Sequence, residues 1–216
     1  MEIKYWADIA CPYCYVGITR LAKALNELKI ADQTSLQFMS FQLDPTLPMT
    51  TKLTMPDYYA KSHKISKDQA LAQLHKIDQF AATASLTIKM ENAIPVNTLA
   101  AHRLIKYVET LNDQRLLNQT INQLYQLYFV ANKSIANNDI LTSSMTKLGL
   151  DASEVTEILN SNKYEDKVRK DERQAFMIGM PSAPLFVINN KYSITGAQPY
   201  EVFVESLKKI NQGRTN

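Results

Sequence analysis

The spacing of apolar positions changes twice along the chain and divides it into three stretches. Residues 2–8, Glu2-Ile3-Lys4-Tyr5-Trp6-Ala7-Asp8, read as a short strand that ends just before two cysteines. From Pro12 to about residue 29 the spacing becomes helical, with Ile18, Leu21, Leu25 and Leu28 on one face and Ala24 beside them. Pro12 suits the first helical turn, where its missing N–H is not needed. Residues 36–43 form a second apolar run, closed by Asp44-Pro45, and predict another strand. A strand, helix and strand in this order make a βαβ unit with parallel strands and a right-handed crossover.

From about residue 50 to residue 150 helical spacing dominates. Leu74, Ile77, Ala81 and Ala84 form one set; Ala100, Leu104, Tyr107, Val108 and Leu111 a second; Leu117, Ile121, Leu124 and Tyr128 a third. Each set repeats every three or four residues, so each helix has one buried face. A further helix over about 163–178 leads to Pro181-Ser182-Ala183-Pro184, after which Leu185-Phe186-Val187-Ile188 reads as a buried strand. Asn189-Asn190 suits a two-residue hairpin, because Asn tolerates positive φ. The strand over 191–195 then returns antiparallel, and Pro199 opens a last helix with Tyr200, Phe203, Val204, Leu207 and Ile210 inward. The order is βαβ, helical block, ββα. The expected division is a discontinuous domain of residues 1–49 plus 151–216 around a helical insertion of residues 50–150.

With 216 residues, 45% hydrophobic and 21% charged, the chain has the composition of a globular protein with a large core. No apolar run approaches the ~20 residues of a membrane span. A net charge of +3, spread along the chain, gives no nucleic-acid signature; the mildly basic stretch over residues 51–150 either favours acidic partners or is a solvated helical face, the solvated face being favoured. The first residues have neither a basic nor an apolar leader pattern, so the expected location is the cytoplasm. There a disulfide is usually transient and catalytic.

That matters because Cys11 and Cys14 are the only cysteines of the sequence. They sit together as Cys11-Pro12-Tyr13-Cys14 at the strand-to-helix junction. Cysteines three apart at a helix start fall within bridging distance of one another. Cys11 at the helix tip meets unpaired N–H groups and the positive end of the helix dipole, which favour a thiolate. Cys14 lies on the apolar stripe, where it is buried. Cys11 is therefore the expected accessible nucleophile and Cys14 the resolving thiol. Half a zinc site also reads C-x-x-C, but four ligands are needed, and His63, His75 and His102 show no paired spacing. No metal is expected. The bland alternative, an inert pair of small buried hydrophobes, fits the junction less well.

The strand, C-x-x-C, helix and late proline before a ββα end resemble the thioredoxin fold, and the helical insertion between its halves is similar to the DsbA family. Three motifs resemble its FrnE-like, largely cytoplasmic branch: Asp8-Ile9-Ala10-Cys11-Pro12-Tyr13-Cys14-Tyr15-Val16-Gly17, Asn97-Thr98-Leu99-Ala100-Ala101-His102-Arg103, and Ser193-Ile194-Thr195-Gly196-Ala197-Gln198. The resemblance implies a thiol–disulfide oxidoreductase acting on protein or small thiol substrates, with Pro184 as a cis-proline facing the disulfide across a groove. Relatives carry Gly-Val before that proline; Ser182-Ala183 here implies a roomier groove. No bound cofactor is implied, and glutathione enters as a redox partner that the chemistry permits. Redox direction cannot be read from Pro12-Tyr13, since similar scaffolds span about −270 to −120 mV; substrate identity and oligomeric state are not encoded there either.

Supporting residues carry weaker signals. His102 either faces the cleft and exchanges a proton or hydrogen-bonds a neighbouring backbone group, the structural role being favoured. Asp8 either tunes Cys11 or caps the following turn, capping being favoured. Asn97 reads as an N-cap, while Trp6 and Tyr13 either line an apolar groove or, for Trp6, enter the core. Two rival functions share the architecture. One is a glutathione-dependent isomerase or transferase of the 2-hydroxychromene-2-carboxylate isomerase or kappa type. Those relatives carry a serine for the nucleophile and a Ser-Asp pair near the late hairpin, where this chain has Cys11 and Gly196-Ala197-Gln198. The other is a peptide-binding holdase that needs no cysteine.

Overall fold

Four strands and nine α-helices follow the chain in a computed structural model that describes residues 1–213. Strand β1 (Glu2–Ala7), helix α1 (Pro12–Glu27) and strand β2 (Ser35–Ser40) form the βαβ unit, with β1 and β2 parallel. Strands β3 (Leu185–Ile188) and β4 (Tyr192–Thr195) and helix α9 (Tyr200–Gln212) complete it. The sheet order is β2-β1-β3-β4, and β3 runs antiparallel to both β1 and β4. This is a thioredoxin-like α/β fold. The β3–β4 turn places Asn189 and Asn190 at φ +52° and +53°, the left-handed backbone that a two-residue hairpin requires.

Register converts the strand sequences into two faces. Phe38, Tyr5, Phe186 and Ile194 stand in one row across the sheet. Tyr5 meets Phe38 edge-on at 5.5 Å, and Phe186 meets Phe203 of α9 edge-on at 5.3 Å. These side chains are all buried, and each contributes about 1.5–3 kcal/mol by leaving water. The neighbouring positions Met39, Trp6 and Leu185 face the other way, onto Ala175. One sheet face thus packs on α1 and α9, and the other is partly covered by the helix that carries Ala175.

Seven helices lie between β2 and β3: α2 (Met55–His63), α3 (Lys67–Ala82), α4 (Leu99–Glu109), α5 (Gln114–Tyr125), α6 (Asn138–Lys147), α7 (Ala152–Leu159) and α8 (Glu165–Met177). Their boundaries follow local chemistry. Ser66 and Gln69 form a reciprocal capping box on α3, and Asp113, Asn137 and Asp151 cap α5, α6 and α7. The third predicted helix ends as a wider π turn over Gln126–Val130, which carries Tyr128 and Phe129 inward.

Strand β2 stops at Ser40, three residues before the end that its apolar run predicts. The physical reason is competition for its N–H groups. Gln42 N–H donates to Glu172 Oε1 at 3.3 Å, and Leu43 N–H donates to Asp8 Oδ2 at 2.7 Å. Side chains replace a strand partner there. The same edge is fastened by Lys106, whose buried Nζ reaches Asp171 Oδ2 at 2.6 Å, Glu109 Oε1 at 2.7 Å and the Phe38 carbonyl at 2.8 Å. Asp171 Oδ2 also accepts the Ser40 N–H at 2.9 Å, and Trp6 Nε1 donates to the Asp171 carbonyl at 3.1 Å. Helices α4 and α8 are thereby tied to the sheet beside the cysteines.

Candidate active site

Cys11 is the N-cap of α1, with extended backbone (φ −96°, ψ 111°), and Pro12 occupies the first turn. The cap is the thiol itself: Cys11 Sγ accepts the Cys14 N–H at 3.2 Å. A helix N-terminus leaves such donors unpaired, and the Cys11 sulfur receives one of them. Both cysteines are unbridged. Cys14 is wholly buried, and its thiol is pushed well above the ordinary range, first by burial and then by the hydrogen bond and charge of Cys11.

Cys11 is only 2% exposed, less open than a helix-tip position suggests. Helices α2 and α3 and the loops around Leu43 and Pro95 roof it over, leaving a cavity of about 310 Å³ with Cys11, Pro12 and Tyr13 in its wall. Four tyrosines line it: Tyr13, Tyr58, Tyr59 and Tyr128. Tyr13 is 43% exposed at this wall and leans on Phe80, with ring centroids 5.4 Å apart. Tyr58 donates its hydroxyl to Asp44 Oδ2 at 2.9 Å; burial, with the Asp44 carboxylate adding, pushes its phenol up to about 12. Asp44 itself lies below the usual carboxylate range because the Thr46 hydroxyl donates to it, with Tyr58 adding.

Asp8 is buried at the base of this wall, which it helps to line, and joins three segments. Its Oδ1 accepts the Ala10 N–H at 3.3 Å, its Oδ2 accepts the Leu43 N–H, and His102 Nε2 lies 3.1 Å from Oδ1. His102, fully buried on α4, therefore meets a side-chain carboxylate from the β1–α1 junction rather than a backbone neighbour. The Asp8 carbonyl accepts the Tyr125 hydroxyl at 3.2 Å, and Tyr125 stacks on Tyr15 at 4.6 Å. Thr98, not Asn97, is the N-cap of α4; Asn97 stands one residue earlier, and its Oδ1 accepts the Leu99 N–H at 2.9 Å. Trp6 is buried on the opposite sheet face, away from this cavity.

The Ala183–Pro184 peptide is cis. Pro184 is buried and packs on the second turn of α1, where Gly17 leaves room: a Cβ there would stand 3.0 Å from Pro184 Cγ and 3.2 Å from Phe186 Cζ. The Pro184 carbonyl accepts the Gly196 N–H at 2.7 Å, joining the late proline to the third sequence motif. Ala183 is half-buried beside it.

One organising residue carries no sequence signal of its own. Arg20, on α1, donates through Nη1 to the Ala197 and Gln198 carbonyls, both at 2.8 Å, and through Nη2 to Thr83 Oγ1 at 2.6 Å. Its guanidinium also lies 4.9 Å from the Phe80 ring centre. One side chain thus holds together the cysteine helix, the end of α3 and the β4–α9 loop. A lone Arg near an apolar helical stripe looks like a surface charge until those partners arrive. Among the described residues, no three His, Cys, Asp or Glu side chains gather as a metal site, and no helix is long and apolar enough to cross a membrane.

Residues 2–208 match the family described as the DSBA-like thioredoxin domain. The chain belongs to that family. A probable DsbA oxidoreductase from Streptomyces coelicolor is 31% identical, with a TM-score of 0.88 over 97% of this chain and 89% of that one. The uncharacterized protein YwbO of Bacillus subtilis is 23% identical over 96% of both chains. A 2-hydroxychromene-2-carboxylate isomerase shares the fold at 11% identity, with a TM-score of 0.72 over 100% of this chain and 98% of that one. In this DSBA-like domain the Cys11–Cys14 pair stands at the start of α1, an arrangement consistent with a redox-active centre.

Proposed function

We propose that this protein is a thiol–disulfide oxidoreductase of the FrnE-like kind, with Cys11 as nucleophile and Cys14 as resolving thiol. The observation that carries the reading is the asymmetry of the two sulfurs. Cys11 Sγ accepts the Cys14 N–H at the tip of α1 and opens on a cavity, whereas Cys14 is sealed and held protonated. In the reductive direction the Cys11 thiolate attacks one sulfur of a substrate disulfide, forming a mixed disulfide and expelling the other sulfur as a thiolate. Cys14 then loses its proton and attacks Cys11 Sγ. The Cys11–Cys14 disulfide forms, and the second substrate thiolate leaves. The substrate gains two electrons and, after protonation, two thiols; the enzyme loses two electrons. The reverse sequence oxidises a dithiol. The Ala183–Pro184 segment holds a substrate strand beside the sulfurs by backbone contacts, a role supported by its packing on α1 and by the family likeness.

The test is the oxidised fraction of the purified protein across dithiothreitol redox buffers of graded potential, trapped by alkylation. A single reversible two-electron transition at Cys11–Cys14 is expected. Cys11→Ser should abolish exchange with a disulfide substrate, and Cys14→Ser should accumulate mixed disulfides. Exchange at full rate in Cys11→Ser would overturn the assignment.

A further inference from the structure

We infer that the cavity beside Cys11 selects disulfides carrying a positive charge close to the sulfur, an aminothiol or a cysteine flanked by a cationic side chain, and turns away anionic disulfides such as oxidised glutathione. The inference rests on the exchange reading above and adds the class of substrate.

Three observations carry it. The cavity holds about 310 Å³, enough for one side chain or one half of a small disulfide. Its aromatic walls, Tyr13, Tyr58, Tyr59 and Tyr128, offer ring faces that attract an ammonium group more than a carboxylate. Its charged lining is lopsided. Among the described residues, Asp44 and Asp8 both contribute to the wall, no Lys or Arg does, and His63 is the one lining histidine. His63 is committed at the rim, its Nδ1 within 3.0 Å of the Tyr59 carbonyl and 2.9 Å of Ser62 Oγ, its ring stacked on Tyr59 at 3.9 Å. Behind the wall, His102 faces Asp8.

Asp44 remains an anion at neutral pH because the Thr46 hydroxyl and N–H and the Tyr58 hydroxyl all donate to it. The attacking Cys11 thiolate adds another negative charge. The positive end of α1 is already answered by that thiolate, through the Cys14 N–H. An incoming glutathione half, net anionic with two carboxylates against one ammonium, would therefore meet like charge, with no guanidinium or ammonium among the described residues of the wall to receive its carboxylates. The arginine nearest in sequence to the cysteines, Arg20, spends its donors on Ala197, Gln198 and Thr83.

The chemistry is that of the exchange step. Cys11 thiolate and a disulfide give a mixed disulfide and one free thiolate; Cys14 then displaces the second. The small disulfide is the oxidant, so a fully reduced protein completes one turnover with no other reagent.

The experiment is single-turnover oxidation of pre-reduced protein by cystamine (cationic), bis(2-hydroxyethyl) disulfide (neutral), 3,3′-dithiodipropionate (anionic) and oxidised glutathione. Each rate is divided by that of the same disulfide with a free simple thiol, which removes intrinsic reactivity. Cystamine should exceed dithiodipropionate by roughly tenfold at low ionic strength, from attraction and repulsion at close range. The gap should narrow as salt screens it. Asp44→Asn, nearly isosteric, should shrink the ratio of the cystamine rate to the dithiodipropionate rate. Equal normalised rates for the four probes, or a faster anion, would overturn the selectivity and leave the exchange reading intact. Failure of every disulfide to oxidise Cys11 and Cys14 faster than it oxidises the free thiol would overturn both.

Discussion

Asp8 Oδ1 and His102 Nε2 lie 3.1 Å apart with both side chains buried, joining the strand-to-helix turn that carries Cys11 to helix α4 of the insertion. The contact spans 94 residues of sequence. Asp8 also receives the Ala10 and Leu43 N–H groups, so one carboxylate shapes the cysteine turn, ends β2 and anchors α4.

Removing that carboxylate leaves two N–H groups and an imidazole nitrogen without their acceptor. Asp8→Ala should cost about 3 kcal/mol, the scale for stranding buried partners of a charged group. Asp8→Asn, which keeps one oxygen acceptor, should lose less. Urea unfolding of the three proteins checks this. A loss below about 1 kcal/mol in Asp8→Ala would mean that Asp8 does not hold these segments together.

Gly17→Ala tests the close approach of α1 to Pro184. Alanine normally favours a helix interior over glycine by up to about 1 kcal/mol. Here its methyl would press on Pro184 and Phe186, and overpacking of this kind costs about 1–3 kcal/mol. Net destabilisation with slower disulfide exchange is expected; a more stable variant with unchanged exchange would show that the contact relaxes freely.

Arg20→Ala should loosen the β4–α9 loop, because two carbonyl partners and Thr83 lose their shared donor. Arg20→Lys should fail to restore it, since an ammonium lacks the planar fork that reaches several acceptors together. Limited proteolysis around residues 196–198 reads the effect. Full protection in the lysine variant would reassign the role to charge alone.

Alkylation of the reduced, folded protein should label Cys11 and spare Cys14. Cys11 lines the cavity, whereas Cys14 is wholly buried and not in its wall. Peptide mass analysis after a short pulse decides it, and equal labelling would contradict the sealed position of Cys14. Unfolding before the pulse should expose both.

Raised acidity constants also set a direction for alkaline stability. Cys14 ionises in the unfolded chain near pH ~8.5 but stays protonated in the folded one to well above that. The unfolded state then binds fewer protons, so folding stability falls as pH rises past the ordinary thiol range. Cys11→Ser, which keeps Cys14, should therefore lose more stability between about pH 8 and pH 10 than Cys11→Ser/Cys14→Ser. Buried Tyr5 and Tyr128 are present in both proteins, in surroundings that do not include Cys14, and cancel in the comparison. Parallel pH profiles would remove the effect.

Much of this fold was legible in local pattern. The apolar stripe of α1, the prolines at residues 12 and 199, and the Asn189-Asn190 turn act through neighbours in sequence, so spacing and backbone preference specify them. The two cysteines were equally legible, because a helix start and a three-residue interval are local facts. The end of β2 was not, since its N–H groups are claimed by Asp8 and Glu172 from distant segments. The π turn before Ala131 was not either, because periodicity does not distinguish it from one more helical turn.

The sequence by itself determined the order of elements and the chemistry available at the start of α1, because both depend on residues within a few positions of one another. Only the tertiary structure decided that Arg20 is a strut, that His102 answers Asp8, and that Cys11 opens on a tyrosine-lined cavity with an acidic wall. Those properties arise when chain segments tens of residues apart are brought within hydrogen-bonding reach. Burial and charge at such a place depend on every segment that converges there, and no local pattern contains that sum.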